Sequence, residues 1–373
     1  MKILQVISSG GMYGAEAVIL NMARTLSGGP HSSILGVFSN FSNPNLQLHE
    51  SAENEGIESH LIPCKGQFDR AAVARIQDLV SRTGADVVHA HGYKADAYVY
   101  LAFRASGIPL VSTCHNWLDN DRKAFVYGVV DRFILRRFAR VVAVSEEVRE
   151  RLVTSGVKPE KIGIIQNGID LRRFDRASAA VKEELGWSAF QVIGLVGRLS
   201  REKGIDVFLR AADRVLLQFP HAKFVVAGDG PDLSELDTLI HKLGIGDSVR
   251  MLGRRDNMPS VYASLDVMVS ASRQEGLPIA ILEGMASRLP IVATAVGEVP
   301  SVIQHGRTGV LVAPENPEAL AAAIVDLLLD PAQRERLGSA ARQLVENEFS
   351  AGRMTADYLR VYEEEIAALA KLT

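Results

Sequence analysis

The chain has 373 residues, a length that predicts two or three domains. Hydrophobic residues make up 47% and charged residues 23%, as in globular proteins with sizeable cores. The net charge of -3 argues against a nucleic-acid partner, because proteins that bind nucleic acids usually carry a basic excess. The two cysteines match no zinc or redox spacing, and no secretory leader or apolar run of about 18 residues is seen. These features predict a cytoplasmic protein with free thiols.

Short β-branched runs alternate with amphipathic runs from the first residues onward. In the first half, the predicted strands are 2–7, 33–38, 87–89, 110–113 and 141–144, with helices at 15–26 and 71–82. Alternation of this kind is typical of a parallel sheet with helices on both faces. The order then restarts with strands at 191–196, 223–227, 248–252, 267–270 and 290–293, and with helices at 206–218, 234–243 and 279–287.

The segment 167–175 (NGIDLRRFD) predicts the boundary between the two sets, because it follows a strand at 162–165 and contains a turn signal. The predicted domains are therefore 1–172 and 173–354. We predict an α/β protein with two doubly wound, Rossmann-like domains that face a central cleft. Ligands of such sheets bind at the C-terminal ends of the strands.

The first glycine-rich loop, 9–16 (SGGMYGAE), nearly matches the dinucleotide-binding fingerprint. Ser9 stands where the first glycine belongs, and the acidic residue expected about 20 residues later is missing. These departures argue against a dehydrogenase. Two interpretations remain, namely a loop that faces a phosphate or an acceptor sugar, and a tight turn only.

Histidines stand near the ends of two predicted strands. His115 follows the strand 110–113 and could donate a hydrogen bond to a sugar hydroxyl or a developing charge, or it could be an ordinary loop histidine. His89 and His91 are expected to be structural. No zinc-type cluster occurs, and the triplet 119–121 (DND) is expected to cap a helix rather than to bind a metal. We therefore predict no metal site.

The segment 121–140 (DRKAFVYGVVDRFILRRFAR) interleaves six basic residues with aromatic ones. A basic amphipathic helix can lie on an anionic lipid surface, where each basic residue contributes about 1 kcal/mol. One interpretation is therefore peripheral membrane contact through 122–140. In the other, Phe133, Ile134 and Phe138 belong to the core and the arginines are solvated.

The loop 197–204 (GRLSREKG) follows the first strand of the second set. Its Arg198 and Lys203 suit a diphosphate, because two cations there would stabilise the charge on a departing nucleotide. The alternative is a solvated basic loop.

The segment 275–283 (EGLPIAILE) predicts the start of a helix that binds a ligand. Pro278 suits the first helical turn, and Gly276 allows the backbone to approach a ligand closely. The free N–H groups of Leu277, Ile279 and Ala280 would then favour a phosphate.

Two carboxylates, Glu275 and Glu283, bracket this segment. One could accept hydrogen bonds from ribose hydroxyls and the other from sugar hydroxyls. The alternative is a helix whose acidic residues are favoured by the helix dipole alone.

Together these motifs resemble the retaining glycosyltransferases of family four, also called group 1. The segment EGLPIAILE is similar to the Glu-x7-Glu motif of that family. The other matching motifs, in order and spacing, are GGMYGAE at 10–16, IQNGID at 165–170, GRLSREKG at 197–204 and GDGP at 228–231. The resemblance covers essentially the whole chain.

The resemblance implies a GT-B fold and a UDP- or GDP-sugar donor that is a substrate, so that no cofactor is expected. By motif match, Arg198 and Lys203 would hold the diphosphate and Glu283 the ribose. Glu275 with the backbone of 276–279 would hold the donor sugar.

The resemblance also implies roles outside the donor motif. His115 would lie near the transferred sugar, Gly11 on the acceptor side, and Arg254 near the base. Family members retain the anomeric configuration without a covalent enzyme intermediate. Their last helix, here about 355–373, crosses back onto the N-terminal domain.

This chain departs from the family pattern at three positions. Arg288 stands where family helices often end in glycine, Glu298 stands where a second glycine is common, and Asn116 replaces a frequent aspartate. The first two departures concern the shape of the donor loops, and the third concerns the acceptor side.

We therefore predict a metal-independent, retaining glycosyltransferase that acts on a glycan or lipid-linked acceptor in surface polysaccharide or glycolipid synthesis. Two alternatives are a GT-B sugar-nucleotide 2-epimerase and a non-catalytic nucleotide-sugar-binding protein. The paired loop and Glu-x7-Glu motifs argue against both.

Overall fold

The computed structural model describes residues 1–11, 14–41, 45–66, 68–115, 132–275 and 279–371. The chain divides into two compact units, one formed by 1–169 with 351–373 and the other by 170–350. Both boundaries predicted from the sequence lie a few residues further along the chain. No helix in the described part of the chain combines the length and the apolarity that crossing a bilayer requires.

The N-terminal unit contains a parallel sheet of seven strands. The strands are β1 (Lys2–Ile7), β2 (Ser32–Asn40), β3 (Ser59–Cys64), β4 (Val87–His91), β5 (Leu110–Cys114), β6 (Arg140–Ala143) and β7 (Ile162–Ile164). The helices whose bounds lie within the described residues are α1 (Gly14–Leu26), α2 (Gln47–Asn54), α3 (Arg70–Thr83), α4 (Tyr93–Phe103) and α5 (Glu146–Thr154).

The second unit contains a parallel sheet of six strands. The strands are β8 (Val192–Val196), β9 (Lys223–Ala227), β10 (Val249–Gly253), β11 (Val267–Ser270), β12 (Ile291–Thr294) and β13 (Val310–Val312). The helices are α6 (Ala180–Glu184), α7 (Ile205–Leu216), α8 (Leu233–Leu243), α9 (Met258–Ala263), α10 (Ile279–Ala286), α11 (Val299–Val302), α12 (Pro317–Leu329) and α13 (Pro331–Glu348). Helix α14 (Ala351–Ala370) returns to the N-terminal unit.

Both sheets have the doubly wound strand order that the alternation of elements predicts. The first runs β3-β2-β1-β4-β5-β6-β7 and the second β10-β9-β8-β11-β12-β13. The order reverses between β1 and β4 and again between β8 and β11. Loops that leave neighbouring strands at such a point diverge, and the crevice between them is where these sheets bind ligands.

The central strands are buried on both faces, which explains their continuous apolar sequences. Leu4 and Val6 of β1 and Phe224 of β9 are fully buried, as is Phe208 of α7, which packs edge-on against Phe224. Burial of each such side chain stabilises the fold by about 1.5–3 kcal/mol. The two sheets therefore serve as stable platforms for the loops at their edges.

Helix α14 is fastened to the N-terminal unit by backbone and side-chain contacts. The N–H of Ala351 donates to the carbonyl of Ile169 at 2.8 Å. Further along α14, the hydroxyl of the buried Tyr358 lies 2.9 Å from Oγ1 of Thr113 in β5. These contacts place α14 against the N-terminal unit.

The two departures in the donor loops have different structural outcomes. Arg288 adopts the left-handed conformation, with φ of 59°, that the glycine common at this position adopts without steric cost. Glu298 has φ of -82°, which any residue adopts, and the neighbouring Gly297 supplies the left-handed turn with φ of 50°. The loop therefore keeps its turn without a second glycine.

Candidate active site

In the second unit, the loops after β8 and β11 bring two predicted site residues into direct contact. Lys203 Nζ lies 2.6 Å from Oε1 of Glu275, whose side chain is only 8% exposed. The Oγ of Ser272 donates to the same oxygen at 2.6 Å. An ammonium and a hydroxyl therefore hold one carboxylate at the point where the strand order reverses.

Glycine at two positions allows these loops to approach each other. Gly204 has φ of 61°, and a Cβ there would lie 1.9 Å from the carbonyl oxygen of Ala271. A Cβ on Gly297 would lie 1.8 Å from the carbonyl oxygen of Glu275. Because neither clash is tolerable, a side chain at either position would displace the backbone that carries the ion pair.

Arg273 connects the same two loops through hydrogen bonds. Its guanidinium donates to both carboxylate oxygens of Asp206 at 2.7 and 3.0 Å and to the carbonyl of Arg201 at 2.8 Å. A further bond runs from the Arg273 side chain to Glu315 at 2.9 Å. These hydrogen bonds to Asp206 and Glu315 raise the pKa of Arg273 further above its ordinary value.

Glu283 lies on α10 and contacts a buried tyrosine. The hydroxyl of Tyr262 donates to Oε2 of Glu283 at 2.8 Å, and the Tyr262 ring packs edge-on against Phe174. Burial raises the pKa of the Glu283 carboxyl, whereas the Tyr262 hydroxyl and the charge of Arg173 act in the opposite direction. One carboxylate oxygen is therefore oriented by the protein.

The remaining predicted donor residues lie on the same edge of the sheet. Arg198 is exposed in the loop after β8, and Arg254 follows β10, where it lies 3.9 Å from the exposed carboxylate of Asp256. Ile279 is the first residue of α10. The other residues predicted to line the donor site, Gly276, Leu277 and Pro278, lie outside the described residues.

The loop GDGP (228–231) supports this edge through backbone bonds. The N–H of Leu199 donates to the carbonyl of Asp229 at 3.0 Å, and the N–H of Gly228 donates to the carbonyl of Gly253 at 2.9 Å. A Cβ on Gly228 would lie 1.8 Å from the carbonyl oxygen of Gly197. The loops after β8, β9 and β10 are therefore held side by side.

In the N-terminal unit, Gly11 lies in the loop after β1. The Oγ of Ser9 accepts from the N–H of Gly11 at 3.3 Å and donates to its carbonyl at 2.9 Å. Ser9, which breaks the dinucleotide fingerprint, thus closes the turn with its own side chain.

His115, at the end of β5, joins a buried chain of polar groups. Its Nε2 lies 3.1 Å from Nδ1 of His91, and Nε2 of His91 lies 2.6 Å from Oε1 of Gln5. The amide nitrogen of Gln5 donates to the sulfur of Met22 at 2.8 Å. Burial lowers the pKa of His115 to about 4 and that of His91 well below its ordinary value.

His89 forms a second buried cluster beside this chain. Its Nδ1 lies 2.7 Å from the hydroxyl of Tyr362 and its Nε2 lies 2.8 Å from Oγ1 of Thr113. The same Oγ1 lies 2.9 Å from the hydroxyl of Tyr358. Burial, and secondly the charge of His115, lower the pKa of His89 to about 3.

The predicted membrane segment 122–140 is described only from residue 132 onward. Phe138 is fully buried and Ile134 nearly so, which places both in the core. Phe133, in contrast, is 54% exposed, and the guanidinium of Arg137 lies 5.0 Å from its ring centroid. This part of the segment therefore combines core residues with one exposed aromatic side chain beside a cation.

The metal prediction concerns residues that are only partly described. The triplet 119–121 lies outside the described residues. Within the described ranges, no group of three His, Cys, Asp or Glu side chains is placed to hold a metal ion.

Sequence reasoning missed several residues that shape these sites. Ser272 could have been found from its position three residues before Glu275. Tyr262 and Gln5 gave no such signal, because each lies in an apolar stretch and meets its partner only in the folded chain. His91 was expected to be structural, and the structure connects it directly to His115.

The site residues and the fold together define a class of enzymes, and comparisons with known proteins identify it. The family described as glycosyl transferases group 1 matches residues 180–344, and glycosyltransferase family 4 matches residues 12–173. The N-acetyl-alpha-D-glucosaminyl L-malate synthase of Bacillus anthracis is 29% identical over 86% of this chain and 84% of its own. The alpha-D-kanosaminyltransferase of Streptomyces kanamyceticus is 30% identical over 74% of this chain and 77% of its own.

Among solved structures, the HepE protein of Anabaena in complex with UDP and glucose superposes with a TM-score of 0.85. The match covers 98% of this chain and all of that chain at 22% sequence identity. This likeness confirms the predicted GT-B fold. The chain belongs to the group 1 glycosyltransferases, also called family 4.

Proposed function

We propose that this glycosyltransferase moves a sugar from a UDP- or GDP-sugar to a hydroxyl group. The observation that carries the proposal is the contact of Lys203 with Glu275 at the point where the strand order reverses. This contact joins a cation suited to a diphosphate and a carboxylate suited to sugar hydroxyls. The complex of HepE with UDP and glucose and the names of the sequence relatives support a nucleotide-sugar donor.

In this proposal, each side chain contributes a distinct charge or hydrogen bond. Arg198 and Lys203 stabilise the negative charge that develops on the departing diphosphate. Glu283, held by Tyr262 through one oxygen, accepts a hydrogen bond from the ribose. Glu275 accepts from the hydroxyls of the donor sugar.

The donor can be identified by thermal shift, because a ligand that binds only the folded protein raises its melting temperature. UDP, GDP and their common sugars are the probes. Lys203→Ala should lower turnover by on the order of a hundredfold, as expected for one lost electrostatic donor. Exposed Lys158→Ala is the matched control. Near-normal turnover in Lys203→Ala would contradict the diphosphate assignment.

The two carboxylates should separate binding from transfer. Glu283→Ala should weaken nucleotide affinity, because the ribose loses its acceptor. Tyr262→Phe, which leaves the carboxylate in place but removes the hydroxyl that orients it, should have a smaller effect in the same direction. Unchanged nucleotide affinity in Glu283→Ala would rule out the ribose role.

We propose that transfer proceeds without a metal ion and with retention of configuration. Arg198, Lys203 and the start of α10 supply the positive potential that a metal would otherwise provide. Activity should therefore survive EDTA, whereas complete loss restored by magnesium or manganese would point to Asp119 and Asp121. Retention rests on the family resemblance, and NMR of the product linkage tests it.

We propose a glycan or lipid-linked acceptor in surface polysaccharide or glycolipid synthesis, and this enzyme class predicts a specific readout. Free nucleoside diphosphate should be released only when an acceptor is added. A 2-epimerase would release or interconvert nucleotide-linked products without an acceptor, and a binding protein would release none. The family assignment does not favour the epimerase.

We also propose peripheral contact of segment 122–140 with an anionic membrane at the cytoplasmic face. The support is exposed Phe133 with its neighbours Arg136 and Arg137. Arg140 contributes less, because Glu365 binds it at 2.8 Å. Liposomes with anionic lipid should pellet the protein at low salt and release it at high salt. Equal pelleting of the Arg136/Arg137 double alanine variant would refute the contact.

A further inference from the structure

The hydrogen bonds beneath His115 determine which of its ring nitrogens carries a hydrogen. Gln5 is fully buried and His91 is 3% exposed, whereas His115 is partly exposed. The chain of contacts thus leads from the interior to a side chain that a ligand can reach. Each contact needs one donor and one acceptor. The direction of donation at the buried end therefore fixes the direction of donation at His115.

The sulfur of Met22 determines the direction of donation at the buried end. The amide nitrogen of Gln5 lies 2.8 Å from this sulfur, and a thioether can only accept a hydrogen bond. The reversed amide would press the carbonyl oxygen of Gln5 against the sulfur, so that two atoms with lone pairs would meet without a hydrogen. The carbonyl oxygen therefore faces His91.

His91 fixes the direction of the hydrogen bond to the next ring, that of His115. A neutral imidazole has one N–H and one lone pair, and burial keeps His91 neutral by lowering its pKa. Because the Gln5 oxygen can only accept, Nε2 of His91 carries the hydrogen, and Nδ1 carries the lone pair. That lone pair can only accept, so the contact at 3.1 Å is donated by Nε2 of His115.

We infer that Gln5 and His91 are positioning residues that hold His115 with its hydrogen on Nε2 and its lone pair on Nδ1. This inference rests on the proposed sugar transfer and on the family resemblance, which implies that His115 lies near the transferred sugar. His115 then accepts a hydrogen bond from a sugar hydroxyl through Nδ1, in place of the donor role that the sequence suggested. The site selects donor sugars that carry this hydroxyl over the corresponding deoxy sugars.

The tautomer can be measured by NMR in the full-length protein with isotope-labelled histidine, without any substrate. The signals of His115 are identified by their loss in His115→Gln. At neutral pH we expect a protonated Nε2 and an unprotonated Nδ1. A protonated Nδ1 in the wild-type protein would overturn the inference.

Two substitutions at His91 form a matched pair. In His91→Asn the amide oxygen can replace Nδ1 as the acceptor, whereas His91→Leu offers no acceptor. We expect His91→Asn to keep the tautomer of His115 and His91→Leu to give a mixture, with turnover reduced about tenfold or more. A single unchanged tautomer in folded His91→Leu would overturn the inference.

A substitution at Gln5 guards against a folding defect at His91. Gln5→Leu removes the oxygen that accepts from His91 and leaves His91 in place, so the His115 signals should again show a mixture of tautomers. A single unchanged tautomer in folded Gln5→Leu would overturn the inference. The substrate-free NMR result is independent of the proposed function. If the tautomer behaves as expected but His115→Gln retains full turnover, the hydrogen-bond chain from Gln5 through His91 to His115 stands. The role of His115 toward the sugar is then refuted.

Discussion

The buried histidines of the N-terminal unit should make its stability depend on pH. His89 is fully buried between Thr113 and Tyr362, and burial lowers its pKa from 6.5 to about 3. The unfolded chain binds a proton near pH 6.5, whereas the folded unit does not. Stability is therefore fully present above this pH and falls as the pH drops from 6.5 toward 3.

The size of the effect at about pH 5 follows from the unfolded state alone. At this pH His89 of the folded unit is still neutral. Protonation of His89 in the unfolded chain therefore lowers the free energy of unfolding by about 2 kcal/mol. His91 and His115, whose pKa values are lowered by burial, act in the same direction. The N-terminal unit should therefore lose more stability on acidification than His89 alone accounts for.

The test uses His89→Gln, whose amide can contact the same neighbours but does not titrate in this range. Urea unfolding at about pH 7.5 and about pH 5 should show a pH dependence smaller by about 2 kcal/mol than in the wild type. Hydrogen exchange of β4 peptides restricts the measurement to the N-terminal unit. His60→Gln is the control, because His60 lies at the surface beside Glu58. An equal pH dependence in His89→Gln and wild type would refute the reasoning.

Three further predictions concern the second unit. Glu275→Gln removes the ion pair with Lys203 but changes the shape of the side chain little. Calorimetry should show undiminished nucleoside diphosphate binding while transfer slows about tenfold or more, and weaker binding would contradict this. Arg273→Lys keeps the charge but loses the two-pronged contact, and kcat should fall on the order of tenfold in a variant with native circular dichroism; an unchanged kcat would remove the positioning role. Arg288→Gly should raise the free energy of unfolding in urea by roughly 0.5–1 kcal/mol, because glycine adopts the left-handed backbone freely; a loss would show that the arginine side chain contributes more.

The strands that the sequence predicts best are the buried central ones. The bounds of β1, β9 and β11 agree with the predicted ranges, because strands covered on both faces have continuous apolar sequences. Two strands, β3 and β13, were missed. Both are edge strands, β3 contains Pro63, and β13 has only three residues. An edge strand needs neither a continuous apolar run nor a full set of backbone donors, so its signal is weak.

The site was predictable in its residue types but not in its contacts. Motif order placed Lys203, Glu275 and Glu283 on one edge of the second sheet, since loops after parallel strands share that edge. The hydroxyl that orients Glu283 comes from Tyr262, and only the fold brings these two residues together. Such contacts depend on the packing of α9 against α10, which no local spacing expresses.

The contact between Lys203 and Glu275 shows why residue types alone do not define this site. Assigned separately, one residue serves the diphosphate and the other the sugar. In the folded unit they share one ion pair, because a carboxylate that is 8% exposed would be costly to leave unpaired. In the proposed reaction, a diphosphate at Lys203 draws the ammonium away from Glu275, and sugar hydroxyls then replace the lost donor. Recognition of the nucleotide and of the sugar is thereby coupled through a single ion pair, which favours the intact donor over either of its parts.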